Sequence, residues 1–210
     1  MGRMIGSSSI SFDKPPFIIE GASIVGQKEG DGPLGKLFDV VEQDPMLGQE
    51  TWEEAESLLQ KEAIQKLLFK AGMSKEEIRY IFGGDLLGQL IATTFGILEF
   101  EVPFFGLYGA CSTMGEALSL GAVMVEAGNA DNVIAMASSH FASAERQFRF
   151  PLAYGNQRPY AATWTVTGCG AVIISTKKGF AKITGITTGK IVDFGVKDAQ
   201  NMGACMAPAA

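Results

Sequence analysis

The chain has one histidine, His140, in 210 residues. Mechanisms that use two imidazoles are therefore closed to a single copy of it. Cysteine is scarce too. Cys111, Cys169 and Cys205 are odd in number and lack the spacings of a metal site or disulfide framework, which points to a reducing compartment. Cations are in the minority, 17 Lys plus Arg against 23 Asp plus Glu, so the formal charge of −6 argues against a surface built to grip phosphate backbones. Long apolar runs are missing as well. Stretches 102–111 and 117–127 are cut by Gly and Glu well short of the ~18–20 residues of a membrane span. The opening MGRMIGSSSI has no apolar core of signal-peptide length. A soluble chain is expected, one able to sit at a membrane through a partner.

Hydrophobic residues make up 47% and charged residues 19%, enough for a core and too few charges for a disordered tail. Glycine is abundant at 26, so the backbone must turn or approach itself closely in many places. Residues 1–16, rich in Ser and Gly and ending in Pro15-Pro16, read as a loose arm. A first strand follows over 17–25, bent at Gly21, then a loop with a short helix near 34–40. Thr51 is a credible N-cap for a helix whose Ala55, Leu59, Ala63, Leu67 and Ala71 recur every four residues, with Glu56, Gln60 and Lys70 outside that stripe and Gly72 as its stop.

Beyond it the pattern alternates: strand 78–82, helix 86–98, strand 102–107, helix 112–127, strand 132–137. That order predicts crossover connections and a largely parallel sheet. A polar and aromatic loop over 141–165 leads to strands 170–175 and 182–188, whose short link predicts an antiparallel hairpin. The fold class is therefore α/β, a mixed, mostly parallel sheet of five strands in αβα layers. Leu118, Leu120, Val123, Met124 and Val125 surround the axis of the 112–127 helix, so it is expected to be a central helix buried on every side.

The most informative stretch is Gly109-Ala110-Cys111-Ser112-Thr113-Met114-Gly115, where a strand ends and a Cys stands at the mouth of that helix. Unpaired backbone N–H groups and the positive helix end favour a thiolate there. A small buried hydrophobe is the plain alternative. Asp85 and Gln89 follow a strand end, where α/β sheets collect ligands, although Asp85 also suits a helix N-cap. Arg146, Arg149 and Arg158 share the long loop with Tyr154, Tyr160 and Trp164. Guanidinium forks and flat rings suit an aromatic dicarboxylate, and equally an interface loop. Cys169 reads as a filler or a cavity residue, and His140 as a loop residue or a ligand contact.

The strand–GACS–helix unit, with GCGAVIIS at residues 168–175, resembles the first half of the thiolase and ketoacyl-synthase fold. GACSTMGEALSLGAVMVEAG with SSHFASAERQFRFPLAYGNQRP resembles the stage V sporulation AD family of spore-forming bacteria, from about Phe12 onward. The resemblance implies a thiolase-like half-domain over 17–195 after the 1–16 arm, with 196–210 as the opening of a second half. It further implies a non-catalytic binder of dipicolinic acid, with calcium an accompanying ion, in a spore inner-membrane transport system that acts in sporulation and germination. No cofactor is implied. Membrane channel proteins of that system are the expected partners, and a homodimer the expected assembly. The candidate ligand contacts are Cys111, Asp85, Gln89, Arg149, Arg158, Cys169 and His140. Two rivals stand beside this reading: a condensing-type acyltransferase using Cys111, and a purely structural subunit of a channel complex.

Overall fold

The structure, a computed structural model, describes residues 2–148, 165–198, 201 and 203–208. In chain order the strands are β1 Arg3–Ile5, β2 Ser9–Ser11, β3 Phe17–Gly26, β4 Val40–Glu42, β5 Tyr80–Asp85, β6 Phe104–Gly106, β7 Asn132–Ser139, β8 Gly168–Ser175, β9 Ala181–Lys182 and β10 Gly185–Thr187. The helices are α1 Gln27–Gly30, α2 Trp52–Ala71, α3 Ile91–Ile97, α4 Thr113–Glu126, α5 Phe141–Phe148 and α6 Gly203–Met206.

Helix α2 forms for the reasons its sequence states. Thr51 accepts from the Glu54 N–H at 3.2 Å while the Glu54 carboxylate accepts from the Thr51 N–H at 3.0 Å, a complete capping box. Gly72 closes the helix in the left-handed region at φ 62, which only glycine adopts without cost. Ala55, Leu59, Ala63, Ile64 and Leu67 are fully buried against the sheet. Each large member contributes about 1.5–3 kcal/mol. Replacing Thr51 by Ala should cost about 1 kcal/mol, read as a shift of the urea midpoint at constant slope.

The main sheet runs β4-β3-β8-β7-β5-β6, with β9 also on β3. It is mixed, as expected. Its strands outnumber the expected five, and the pairings divide evenly: β3–β4, β5–β6 and β5–β7 are parallel, β3–β8, β7–β8 and β3–β9 antiparallel. Helices α2 and α3 cover one face and α4 the other, so the layers are αβα.

Several expectations are corrected. Residues 3–11 are not a loose arm. They form the β1–β2 hairpin, which β10 extends to three strands through Gly185↔Ser11 and Ile186↔Ile10. The final pair is not a hairpin either, because β9 joins β3 and β10 joins β2. The short helix near 34–40 shrinks to one 3-10 turn at Gly35–Leu37, and Val40–Glu42 is a strand. The 86–98 helix starts only at Ile91, since Gln89 (φ 53) and Leu90 (φ 67) are both left-handed. The 141–165 loop opens with helix α5. Helix α4 is buried on one side only, through Thr113, Ala117, Gly121, Ala122 and Val125, and its Leu120 is 44% exposed. Apolar residues all round predicted cover on both sides, and the described residues supply it on one.

Candidate functional site

The chain leaves β6 at Gly106, and the Leu107 N–H donates to the Gly83 carbonyl at 2.8 Å, which ties the exit to β5. It then turns sharply into α4. Ala110 takes a left-handed φ of 49, uncommon for a residue with a Cβ, and Cys111 follows it in a 3-10 turn over Ala110–Ser112. The Thr113 hydroxyl accepts from the Gly109 N–H at 3.3 Å, and the Ser112 hydroxyl donates to the Gly109 carbonyl at 2.8 Å and contacts the Glu116 carboxylate. Glu116, a charge inside an apolar helix, thus finds its partner within the turn. A Cβ on Gly109 would lie 2.2 Å from Glu116 Oε1, so any larger residue there would push the Glu116 carboxylate aside. The turn is a strained elbow that presents Cys111 on the surface, where it is exposed.

His140 is wholly buried at the end of β7. Its Nε2 donates to the Pro45 carbonyl at 2.8 Å and its Nδ1 accepts from the Ala142 N–H at 3.2 Å, which fixes a neutral imidazole. Trp52 and Phe141 pack on its ring at 5.2 and 5.0 Å. His140 is thus held in the core, not in a loop.

Cys169 is 3% exposed in β8, and burial, followed by the Glu56 charge, pushes its thiol well above the ordinary range. Its side chain belongs to the hydrophobic cluster beneath α2. Asp85 is fully buried too, with its oxygens accepting from Leu90 and Thr93. Gln89 is exposed in the left-handed turn before α3. Arg149 and Arg158, with Tyr154, Tyr160 and Trp164, lie outside the described residues, as does the side chain of Arg146. A groove of about 470 Å³ between α2 and α3, lined by Thr51, Ser57, Leu58, Ile91 and Phe95 among others, contains none of the selected residues.

Two buried residues escaped the sequence reading. Glu56 and Gln60 were assigned outside the apolar stripe of α2, yet they are 1% and 0% exposed. The register sets Asp85 opposite Ser138 and Ser138 opposite Cys169, a row across β5, β7 and β8 over which Glu56 and Gln60 sit. Their spacing of four and their place beside Ala55, Leu59 and Ala63 were the available signal.

The chain matches the family model for stage V sporulation protein AD over residues 6–210. It is 41% identical over 208 residues to stage V sporulation protein AD of Bacillus subtilis (strain 168), covering 99% of this chain and 62% of that protein, and so spans less than two thirds of that relative's length. Among solved structures, 3-oxoacyl-[acyl-carrier-protein] synthase III from Aquifex aeolicus VF5 superposes with a TM-score of 0.51 at 17% identity, over 76% of this chain and 53% of that one. The priming β-ketosynthase of the R1128 polyketide pathway gives 0.50 at 16%, over 83% and 52%. At these identities the likeness shows the thiolase-like fold and nothing of the chemistry.

Proposed function

Because the chain belongs to the stage V sporulation protein AD family, we propose that it serves sporulation as a non-catalytic binding protein for dipicolinic acid, with or without calcium, at the spore inner membrane. The observation that carries the non-catalytic reading is His140. Acyl transfer by a thiol needs a base to take its proton. The chain's one imidazole is instead buried, with both ring nitrogens engaged by backbone. What remains at Cys111 is an exposed elbow on a thiolase-like scaffold, with the imidazole of His140 committed to backbone.

An aromatic dicarboxylate asks for bidentate guanidinium forks and flat rings, which Arg149, Arg158, Tyr154, Tyr160 and Trp164 supply in composition, with Cys111 and Gln89 on accessible turns. Among the described residues no helix is long and apolar enough to cross a membrane. On this reading the chain is held at the membrane by channel proteins of the same system. The open sheet edge at β6, with Phe105 46% exposed, suits pairing with a second copy.

Titration calorimetry should show one dipicolinate per chain, weakened about tenfold or more by Arg158→Ala, the loss of one charge-assisted contact. Incubation with acyl-CoA should leave Cys111 without an adduct in the mass spectrum. An adduct lost in Cys111→Ala would install the acyltransferase instead. Absence of binding heat from folded protein would leave the structural-subunit reading.

A further inference from the structure

Beneath α2 lies a row of buried polar side chains that the ligand reading does not use. They form one chain of hydrogen bonds, in which the Gln60 amide donates to both sides. At one end Asp85 Oδ1 accepts from the Leu90 N–H at 3.2 Å, and Oδ2 accepts from the Thr93 N–H at 3.1 Å and the Thr93 hydroxyl at 2.8 Å. Having given its proton away, the Thr93 hydroxyl can only accept, and it does so from Gln60 Nε2 at 3.1 Å. The second proton of that amide goes to Ser138 Oγ at 2.6 Å, which leaves Gln60 Oε1 buried without a hydrogen-bond partner. Ser138 in turn donates to Glu56 Oε1 at 2.8 Å. Glu56 Oε2 meets Ser143 Oγ at 3.0 Å, and Ser143 Oγ meets the His140 carbonyl at 3.0 Å.

The two carboxyl ends differ in what they lack. Asp85 is surrounded by donors and has no use for a proton of its own. At the Glu56 end, three contacts (Ser138 to Glu56, Ser143 to Glu56, Ser143 to the His140 carbonyl) share two hydroxyl protons while Glu56 is ionised. A proton on Oε2 completes the set: Glu56 then donates to Ser143, and Ser143 is free to donate to the His140 carbonyl. We propose that Glu56 is a buried proton-binding site, and that the proton it takes up fastens the start of α5, through Ser143 and the His140 carbonyl, to α2.

Burial pushes the Glu56 carboxyl up to about 7, the Asp85 charge adding to that and the Ser138 hydroxyl opposing it. The titratable groups facing it among the described residues are Glu53 on α2, Asp85 from β5, Cys169 from β8 and the neutral His140 at the end of β7. The ordinary value is 4.5, so the folded state holds the proton more tightly. The stabilising contribution is complete below that value and is lost as pH rises through about 7.

Trp52 reports on the site, its ring 5.2 Å from that of His140 and 5.6 Å from that of Phe141. The chain has two tryptophans, so a Trp164→Phe background isolates its emission. A one-proton transition with a midpoint near 7 is expected. Glu56→Gln should abolish it and hold the emission at the low-pH value throughout, since the amide donates to Ser143 and accepts from Ser138 as the neutral acid does. A midpoint that persists in Glu56→Gln belongs to another group and overturns the proposal, as does a flat profile between about pH 5 and 9. Should that variant fail to fold, infrared difference spectra of the unaltered chain decide: a buried carboxylic-acid carbonyl band must fade with the same midpoint, and its absence at weakly acid pH refutes the site.

Discussion

Gly84→Ala should leave little folded protein. Gly84 lies near the end of β5, and a Cβ there would stand 2.0 Å from the Leu107 carbonyl oxygen and 2.9 Å from a Leu90 methyl. The side chain can swing away. The carbonyl cannot, because Leu107 is held to β5 by the hydrogen bond to Gly83 and leads directly into the elbow at Ala110 and Cys111. Relief would require the β6 exit to move by an ångström or more and break the parallel ladder. That cost lies at or above the ~1–3 kcal/mol of ordinary overpacking, a large part of the ~5–15 kcal/mol that holds a domain together. The measurement is urea unfolding by circular dichroism, with Gly115→Ala as control. Gly115 sits inside α4 with nothing within 4 Å of the added methyl, so this substitution should stabilise by about 0.5–1 kcal/mol. Equal midpoints for the two variants would mean that Leu107 is not where the close approach places it.

The opposite signs expected at Gly84 and Gly115 show what kind of information the sequence carries. Composition announces many glycines, yet only the tertiary meeting of segments, here of β5 with the β6 exit, says that Gly84 cannot be replaced. Local signals are legible in the sequence. The four-residue recurrence of Ala55, Leu59, Ala63 and Leu67, capped by Thr51 and stopped by Gly72, gave α2, and the small residues around Cys111 gave the turn into α4. What failed depends on partners far away along the chain. Glu56 and Gln60 look like solvent-facing residues until Ser138, 82 and 78 positions on, supplies hydrogen bonds that make their burial tolerable. The N-terminal hairpin likewise has no local reason to be ordered. Its third strand arrives at Gly185–Thr187, a pairing with no signature in either segment.

At the candidate site the same division holds. The elbow was legible because its chemistry and its turn coincide in seven consecutive residues. The fate of His140 was not, since its burial rests on the tilted Trp52 ring and on the Pro45 carbonyl, 95 positions earlier.

Asp85→Ala tests how far one buried carboxylate organises this end of the sheet. Two mutually exclusive roles were open at the sequence level, contact with a ligand or an N-cap for the next helix. The structure gives a third: the residue before Ile91 is Leu90, left-handed and without a side-chain cap, and Asp85 serves the helix from the strand end. Removing the carboxylate strands the Thr93 N–H and the Thr93 hydroxyl in a buried setting and the Leu90 N–H in a partly buried one. Each orphaned donor costs about 1–3 kcal/mol, and partial reorientation of the Thr93 hydroxyl lowers the sum, so a loss of about 3–5 kcal/mol is expected. Asp85→Asn keeps an acceptor toward Thr93 but turns an N–H₂ toward Leu90, and should lose roughly half as much. Amide hydrogen exchange discriminates further. The α3 amides, Thr93 foremost, should lose protection in Asp85→Ala while those of α2 and β7 fall only with global stability. Uniform loss of protection would make Asp85 a general packing residue. An unchanged melting point would return it to the ligand-binding candidates, because a carboxylate that the fold does not require is free to be held for something else.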